Sequence, residues 1–198
     1  MYKINELPTP CFVIDEGKLE ENLKLLHQVE ERTGAKILLA QKCFSCFSEY
    51  PLIGKYISGT TASGLYEARL GKEEMGLENH VYSPAYRPQD MEELAQICDH
   101  IIFNSEKQLR TYLPVLKASG TAKAGLRINP ECSTQEGHAI YDPVRPAPAW
   151  ASAPAILQTN WLILWTVFIF IPSVNRIRMI WKPRCAPWKK NSASGFLK

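Results

Sequence analysis

A chain of 198 residues, 45% of them hydrophobic, is long enough to bury one sizeable core. Its formal charge of +3 hides a division: residues 1–142 carry 15 Lys+Arg against 20 Asp+Glu, a net of −5, while the last 56 hold eight basic and no acidic residues. The basic excess therefore belongs to the tail, and charge gives no argument for a nucleic-acid partner.

The N-terminus, "MYKINELPTP", has no apolar stretch of signal-peptide type, so a cytoplasmic setting is expected. "CFVIDE" then reads as a strand. Residues 17–32 place Leu19, Leu23, Leu26 and Val29 at helical spacing. "KILLA" is a short buried strand, and "SEYPLIGKYI" a helix that Pro51 confines to a start near itself. "GTTASG" reads as a short strand edge, and "LYEARLGKEEMG" as a helix closed by glycine. "HVYSPAY" is a strand and "RPQDMEELAQICD" a helix with proline in its first turn. "HIIFN" is a strand, after which Asn104 or Ser105 caps "EKQLRTYLPVLKASG". "KAGLRINP" is the last strand legible in the pattern.

Between Lys36 and Pro130 this gives about five βα steps at roughly 20-residue spacing, which indicates a parallel sheet. No Gly-x-Gly-x-x-Gly or phosphate-loop motif follows a strand, which argues against dinucleotide and P-loop folds. A complete (β/α)₈ barrel needs about 250 residues. The expected fold class is therefore α/β: the N-terminal part of a (β/α)₈ barrel, incomplete, followed by an unrelated tail. Of the six cysteines, Cys43 and Cys46 have C-x-x-C spacing, but no second pair or nearby histidine completes a zinc set. They read as structural thiols, and no metal site is expected.

Lys42 stands where the "KILLA" strand ends. In a (β/α)₈ barrel the C-terminal strand ends face the active site. A lysine there, desolvated by apolar neighbours, can lose its proton and form an imine with an aldehyde. A solvated lysine after a strand is the plainer reading, and position alone does not separate the two.

The flanking residues do. "LPTPCFVIDEGKLEENL", "ILLAQKCFS", "SGLYEARLG", "VYSPAYRP", "IIFNSEKQL" and "GLRINPECS" occur in order between about Leu7 and Asp142. Together they resemble the carboxynorspermidine (carboxyspermidine) decarboxylase family. These are pyridoxal 5'-phosphate enzymes of the alanine racemase and ornithine decarboxylase fold group. The resemblance implies that Lys42 carries the cofactor covalently and acts in catalysis. Ser63 and Glu67 match a segment beside the cofactor ring, and Arg127 a strand-end arginine near it. For Glu67 a solvated helix face, and for Arg127 a strand-end salt bridge, stay open as alternatives. His80, His100 and His138 match no family site and read as surface residues. The implied substrate is a small polyamine precursor, the implied assembly a homodimer, and the implied reaction a decarboxylation in norspermidine or spermidine biosynthesis.

The resemblance stops inside "IYDPVRPAPAW". The family would continue toward Cys-Ala-Pro-Gly-Ser-Arg-Leu-Gly, and codons allowed for residues 144–151 reread in another frame give that run. "VFIFIPSVNR" rereads in the same frame as a His-Phe-His segment. Residues 1–142 are thus expected to be a partial cofactor-binding barrel. Residues 143–198 are expected to be a frameshifted tail with no native domain, leaving the chain truncated and inactive. Two other readings compete: a non-enzymatic pyridoxal-phosphate-binding barrel protein, and a tail-anchored membrane protein. Trp161 to Ile171 is a run of 11 residues, nearly all apolar, where a span needs about 20, so a membrane partner is not expected.

Overall fold

The computed structural model describes residues 6–127. Five strands form one parallel sheet in strict chain order: β1 (Leu38–Ala40), β2 (Gly59–Ala62), β3 (Glu78–Tyr82), β4 (His100–Phe103) and β5 (Lys123–Leu126). Helices α1 (Glu16–Thr33), α2 (Tyr50–Ile53), α3 (Leu65–Leu70), α4 (Met91–Ile97) and α5 (Glu106–Ser119) alternate with them. The sequential parallel order is that of a barrel wall, as the spacing predicts.

Local chemistry sets most boundaries. Asp15 caps α1 by accepting the Lys18 N–H at 3.1 Å, and Gly34, at φ 68°, ends it. Ser105, not Asn104, caps α5 by accepting from the Gln108 N–H. α3 runs on into a π-helical turn, Gly71–Met75, and residue 71 is glycine because it lies against Thr60: a Cβ there would sit 2.3 Å from Thr60 Oγ1. The "SEYPLIGKYI" helix is shorter than its pattern suggests. A 3₁₀ turn, Phe47–Glu49, leads into four α-helical residues that end at Gly54.

Alternation along the strands sorts the two faces of the sheet. Val81, Ile101 and Phe103 are fully buried and pack with Ala68, Met91, Leu94 and Leu116 of the helices. A second cluster, Leu23, Tyr50, Ile53 and Ile57, joins α1 and α2 to Leu39 of β1. The opposite face carries one register row across all five strands: Ala40, Thr61, His80, His100 and Lys123. Polar residues dominate that row.

Two expectations are corrected. "CFVIDE" forms no strand: residues 11–15 take no regular structure, and Phe12, Val13 and Ile14 are exposed. Strand propensity needs a pairing partner, and among the described residues this segment has none. "GTTASG" is not an edge, since β2 pairs with β1 on one side and β3 on the other. No helix among the described residues is long and apolar enough to cross a membrane. The 161–171 run, His138 and the rest of residues 128–198 lie outside the described residues.

Candidate active site at the C-terminal strand ends

Lys42 sits on a turn directly after β1, held by Cys43 N–H and Phe44 N–H, which both donate to the Ala40 carbonyl. Its neighbour Gln41 is the anchor. The Gln41 N–H donates to Thr61 O at 3.2 Å, extending the ladder, and its side chain is 1% exposed. Gln41 Oε1 accepts from Tyr50 O–H at 3.3 Å, and Nε2 lies beside Gly71. With Gln41 buried among the helices, Lys42 itself is exposed.

Ser63 follows β2, and its N–H donates to Glu67 Oε2 at 2.6 Å. Glu67 therefore closes the entry to α3 rather than standing on a free helix face. Arg127 follows β5 and is 4% exposed. Its Nη1 donates to Tyr82 O–H at 2.6 Å, with the guanidinium over the Tyr82 ring at 5.1 Å, and Tyr82 O–H donates to Asn104 Oδ1 at 2.9 Å. Among the described residues Arg127 pairs with this phenol and ring rather than with a carboxylate. The loop after β3 is pinned by Tyr86, whose O–H accepts from Ser83 N–H and donates to Ile102 O at 2.8 Å. Burial pushes that phenol well above the usual tyrosine range.

All four expected residues thus stand at one end of the sheet. Their donor set fits pyridoxal 5'-phosphate: an exposed amine able to meet an aldehyde, a hydroxyl, and a buried guanidinium suited to an anionic group.

At the opposite end the histidine reading fails. The His80 and His100 side chains are only 12% and 10% exposed. Their rings lie 4.3 Å apart, and His80 Nε2 donates to Glu78 Oε1 at 2.8 Å. Burial pushes the Glu78 carboxyl up, but the Lys36 ammonium and the His80 ring outweigh it and hold it below the usual carboxylate range. Burial and the neighbouring His80 push the His100 imidazole down. The clue in the sequence was the Glu78-Asn79-His80 alternation, which puts both side chains on one face. Only the register, which pairs His80 with His100, completes the group.

No family model matches the chain. The carboxynorspermidine/carboxyspermidine decarboxylase of Herminiimonas arsenicoxydans is 41% identical over 140 residues, covering 71% of this chain and 37% of that enzyme. The carboxyaminopropylagmatine decarboxylase of a Synechocystis species is 40% identical over 141 residues, covering 71% of this chain and 36% of that enzyme. The matched stretch is homologous to these decarboxylases. The crystal structure of carboxynorspermidine decarboxylase from Campylobacter jejuni, in complex with norspermidine, superposes with a TM-score of 0.80 at 28% identity. That superposition covers 95% of this chain and 47% of that one. The chain spans little more than a third of the curated relatives it matches.

Proposed function

We propose that this chain is the N-terminal part of a pyridoxal 5'-phosphate-dependent decarboxylase acting on carboxynorspermidine or carboxyspermidine. The observation that carries the reading is Lys42, an exposed amine on a turn at the C-terminal edge of the sheet, backed by the buried Gln41. Lys42 would hold the cofactor covalently, with Ser63 and Arg127 supplying polar and cationic contacts on the same edge. When bound, the cofactor supplies the electron sink for the pair released as the substrate carboxylate leaves as CO₂. Gln41, buried and bonded to Thr61 and Tyr50, anchors the backbone beside Lys42, so the amine would be presented from a fixed turn. Glu67 holds the Ser63 N–H, and the Arg127–Tyr82–Asn104 chain ties the ends of β5, β3 and β4 into one rigid rim.

The homodimeric assembly and the second half of the site belong to the parent protein in this reading. A frame break near Pro143 would limit the match to the first 142 residues, and the matched lengths of 140 and 141 residues support it. The chain as it stands would bind its cofactor weakly and turn over no substrate.

Two experiments test this. The chain is mixed with pyridoxal 5'-phosphate, reduced with borohydride and mapped by peptide mass; the adduct is expected on Lys42, and an adduct spread evenly over surface lysines would refute the assignment. Sequencing the gene around codon 143 is expected to open, with one base added, a frame encoding the His-Phe-His segment. Stop codons shortly downstream in that frame would remove the frameshift.

A further inference from the structure

We propose that Glu78, His80 and His100 form a binding site for a divalent transition-metal ion, zinc first, at the N-terminal end of the sheet. The site is separate from the Lys42 rim and does not depend on its assignment. Glu78 and His80 are two apart on β3 and so share a face, and His80 is the register partner of His100 on β4. One ligand atom from each of Glu78, His80 and His100 can be chosen so that all three lie within 4.8 Å of one another.

The distances suit zinc. Bonds of about 2.0–2.2 Å in a tetrahedral site put ligand atoms roughly 3.3 Å apart. The observed separations from Glu78 Oε1, 2.8 Å to His80 Nε2 and 3.6 Å to His100 Nδ1, straddle that value. Small ring rotations would equalise them. Two histidines and a carboxylate are a recurrent zinc set, while hard ions such as magnesium prefer oxygen-only shells.

Three further observations point to a ligand. His100 is 8% exposed, yet its Nδ1 has no hydrogen-bond partner among the described residues, an arrangement that costs free energy unless something fills it. The second Glu78 oxygen, Oε2, is held by Lys36, which orients the carboxylate and leaves Oε1 for the metal. Glu78 and His100 also line a cleft of about 430 Å³ that gives an ion a way in and leaves room for water as a fourth ligand. Lys123 and Lys72 on the same cleft oppose a cation, with Asp99 offsetting part of their charge. Binding would replace the His80 Nε2–H proton by the metal and release that proton to solvent. Since the ligands come from β3 and β4, the ion would tie together the two strands at the centre of the His80–His100 row.

The test uses the 198-residue chain stripped with chelator and its accessible cysteines alkylated, so that exposed thiolates cannot bind. Zinc affinity is measured by competition with a chromophoric chelator, and cobalt(II) is added separately for its tetrahedral absorption. One equivalent should bind at micromolar or tighter affinity, raise the melting temperature with rising zinc, and show no competition from magnesium. His80→Ala, His100→Ala and the near-isosteric Glu78→Gln should each weaken zinc by more than the roughly 10–100-fold typical of outer-shell changes. His27→Ala, which alters a half-buried histidine on α1, should leave it unchanged. Failure of the unsubstituted chain to bind zinc, or equal binding by Glu78→Gln and the unsubstituted chain, would overturn the proposal.

Discussion

At the C-terminal ends of the strands Lys42 stands exposed on a turn, whereas at the N-terminal ends His100 keeps only 8% of its surface. The same five strands supply both places. At the rim, strands hand over to loops, and the Lys42 and Ser63 side chains meet solvent. At the base, the first residues of β3 and β4 are still inside the register, and the Glu78, His80 and His100 side chains are mostly buried. The sheet therefore holds two unlike settings at its two ends: an amine open to solvent at one, and polar groups fixed by their neighbours at the other.

The sharpest way to break this comparison is at Lys42. In a frame-restored protein, Lys42→Ala should reduce decarboxylation to the rate of free cofactor, followed as CO₂ release. Lys42→Arg should fail similarly, because a guanidinium keeps the charge but is no imine-forming amine. Both variants should melt within about 0.5 kcal/mol of the parent, since the side chain is exposed. Lysine-dependent turnover by the 198-residue chain alone would show instead that the rim needs no second half.

Thiol reactivity should sharpen it next. Cys43 lies on the exposed turn beside Lys42, while Cys98, just before β4, is 3% exposed and burial pushes its thiol up to about 12. Iodoacetamide at pH 8 should modify Cys43 and spare Cys98, whose thiolate fraction there is about one part in 10⁴. The folded-state value is raised, so the stabilising contribution of the Cys98 thiol is whole below its ordinary value of 9.0 and is lost as pH rises toward 12. Rapid native-state labelling of Cys98, read by peptide mass, would show that the base end opens.

Glycine replacements compare the packing of the two ends directly. A Cβ on Gly59, the first residue of β2, would lie 1.9 Å from the Glu78 carbonyl oxygen. A Cβ on Gly64, at the rim, meets nothing within 4 Å, and its φ of 178° is ordinary extended backbone. Gly59→Ala should therefore cost about 1–3 kcal/mol or more in urea unfolding, and Gly64→Ala within about 0.5 kcal/mol. Equal losses would mean the rim is as tightly packed as the base.

How much of this was legible depends on whether the cause was local. Asp15, Ser105 and the glycines at 34, 76 and 120 mark helix ends by backbone chemistry, so the alternation of five strands and helices could be read from the sequence. The rim could be read because "ILLAQKCFS" and its companion segments carry the family pattern around Lys42. The base could not. Its histidines are twenty residues apart, and only the pairing of β3 with β4 brings their rings within 4.3 Å. "CFVIDE" misled for the converse reason: its residues favour a strand, but pairing is decided by a neighbour the segment lacks among the described residues.

The smallest expected effect lies at Glu67, and it decides what that carboxylate contributes to the rim. Its Oε2 accepts the Ser63 N–H at 2.6 Å, satisfying a backbone donor where β2 turns into α3. A carboxylate near a helix start is also favoured by the helix dipole. Glu67→Ala should remove both and cost about 1 kcal/mol, in line with the loss of a helix cap. Urea unfolding of the 198-residue chain measures this. The yield of the borohydride-trapped Lys42 adduct, taken on the same samples below the unfolding transition, separates the two roles. A stability loss with unchanged yield means Glu67 only closes the turn. A yield that drops while the chain stays folded means the carboxylate reaches the cofactor, as the family resemblance implies.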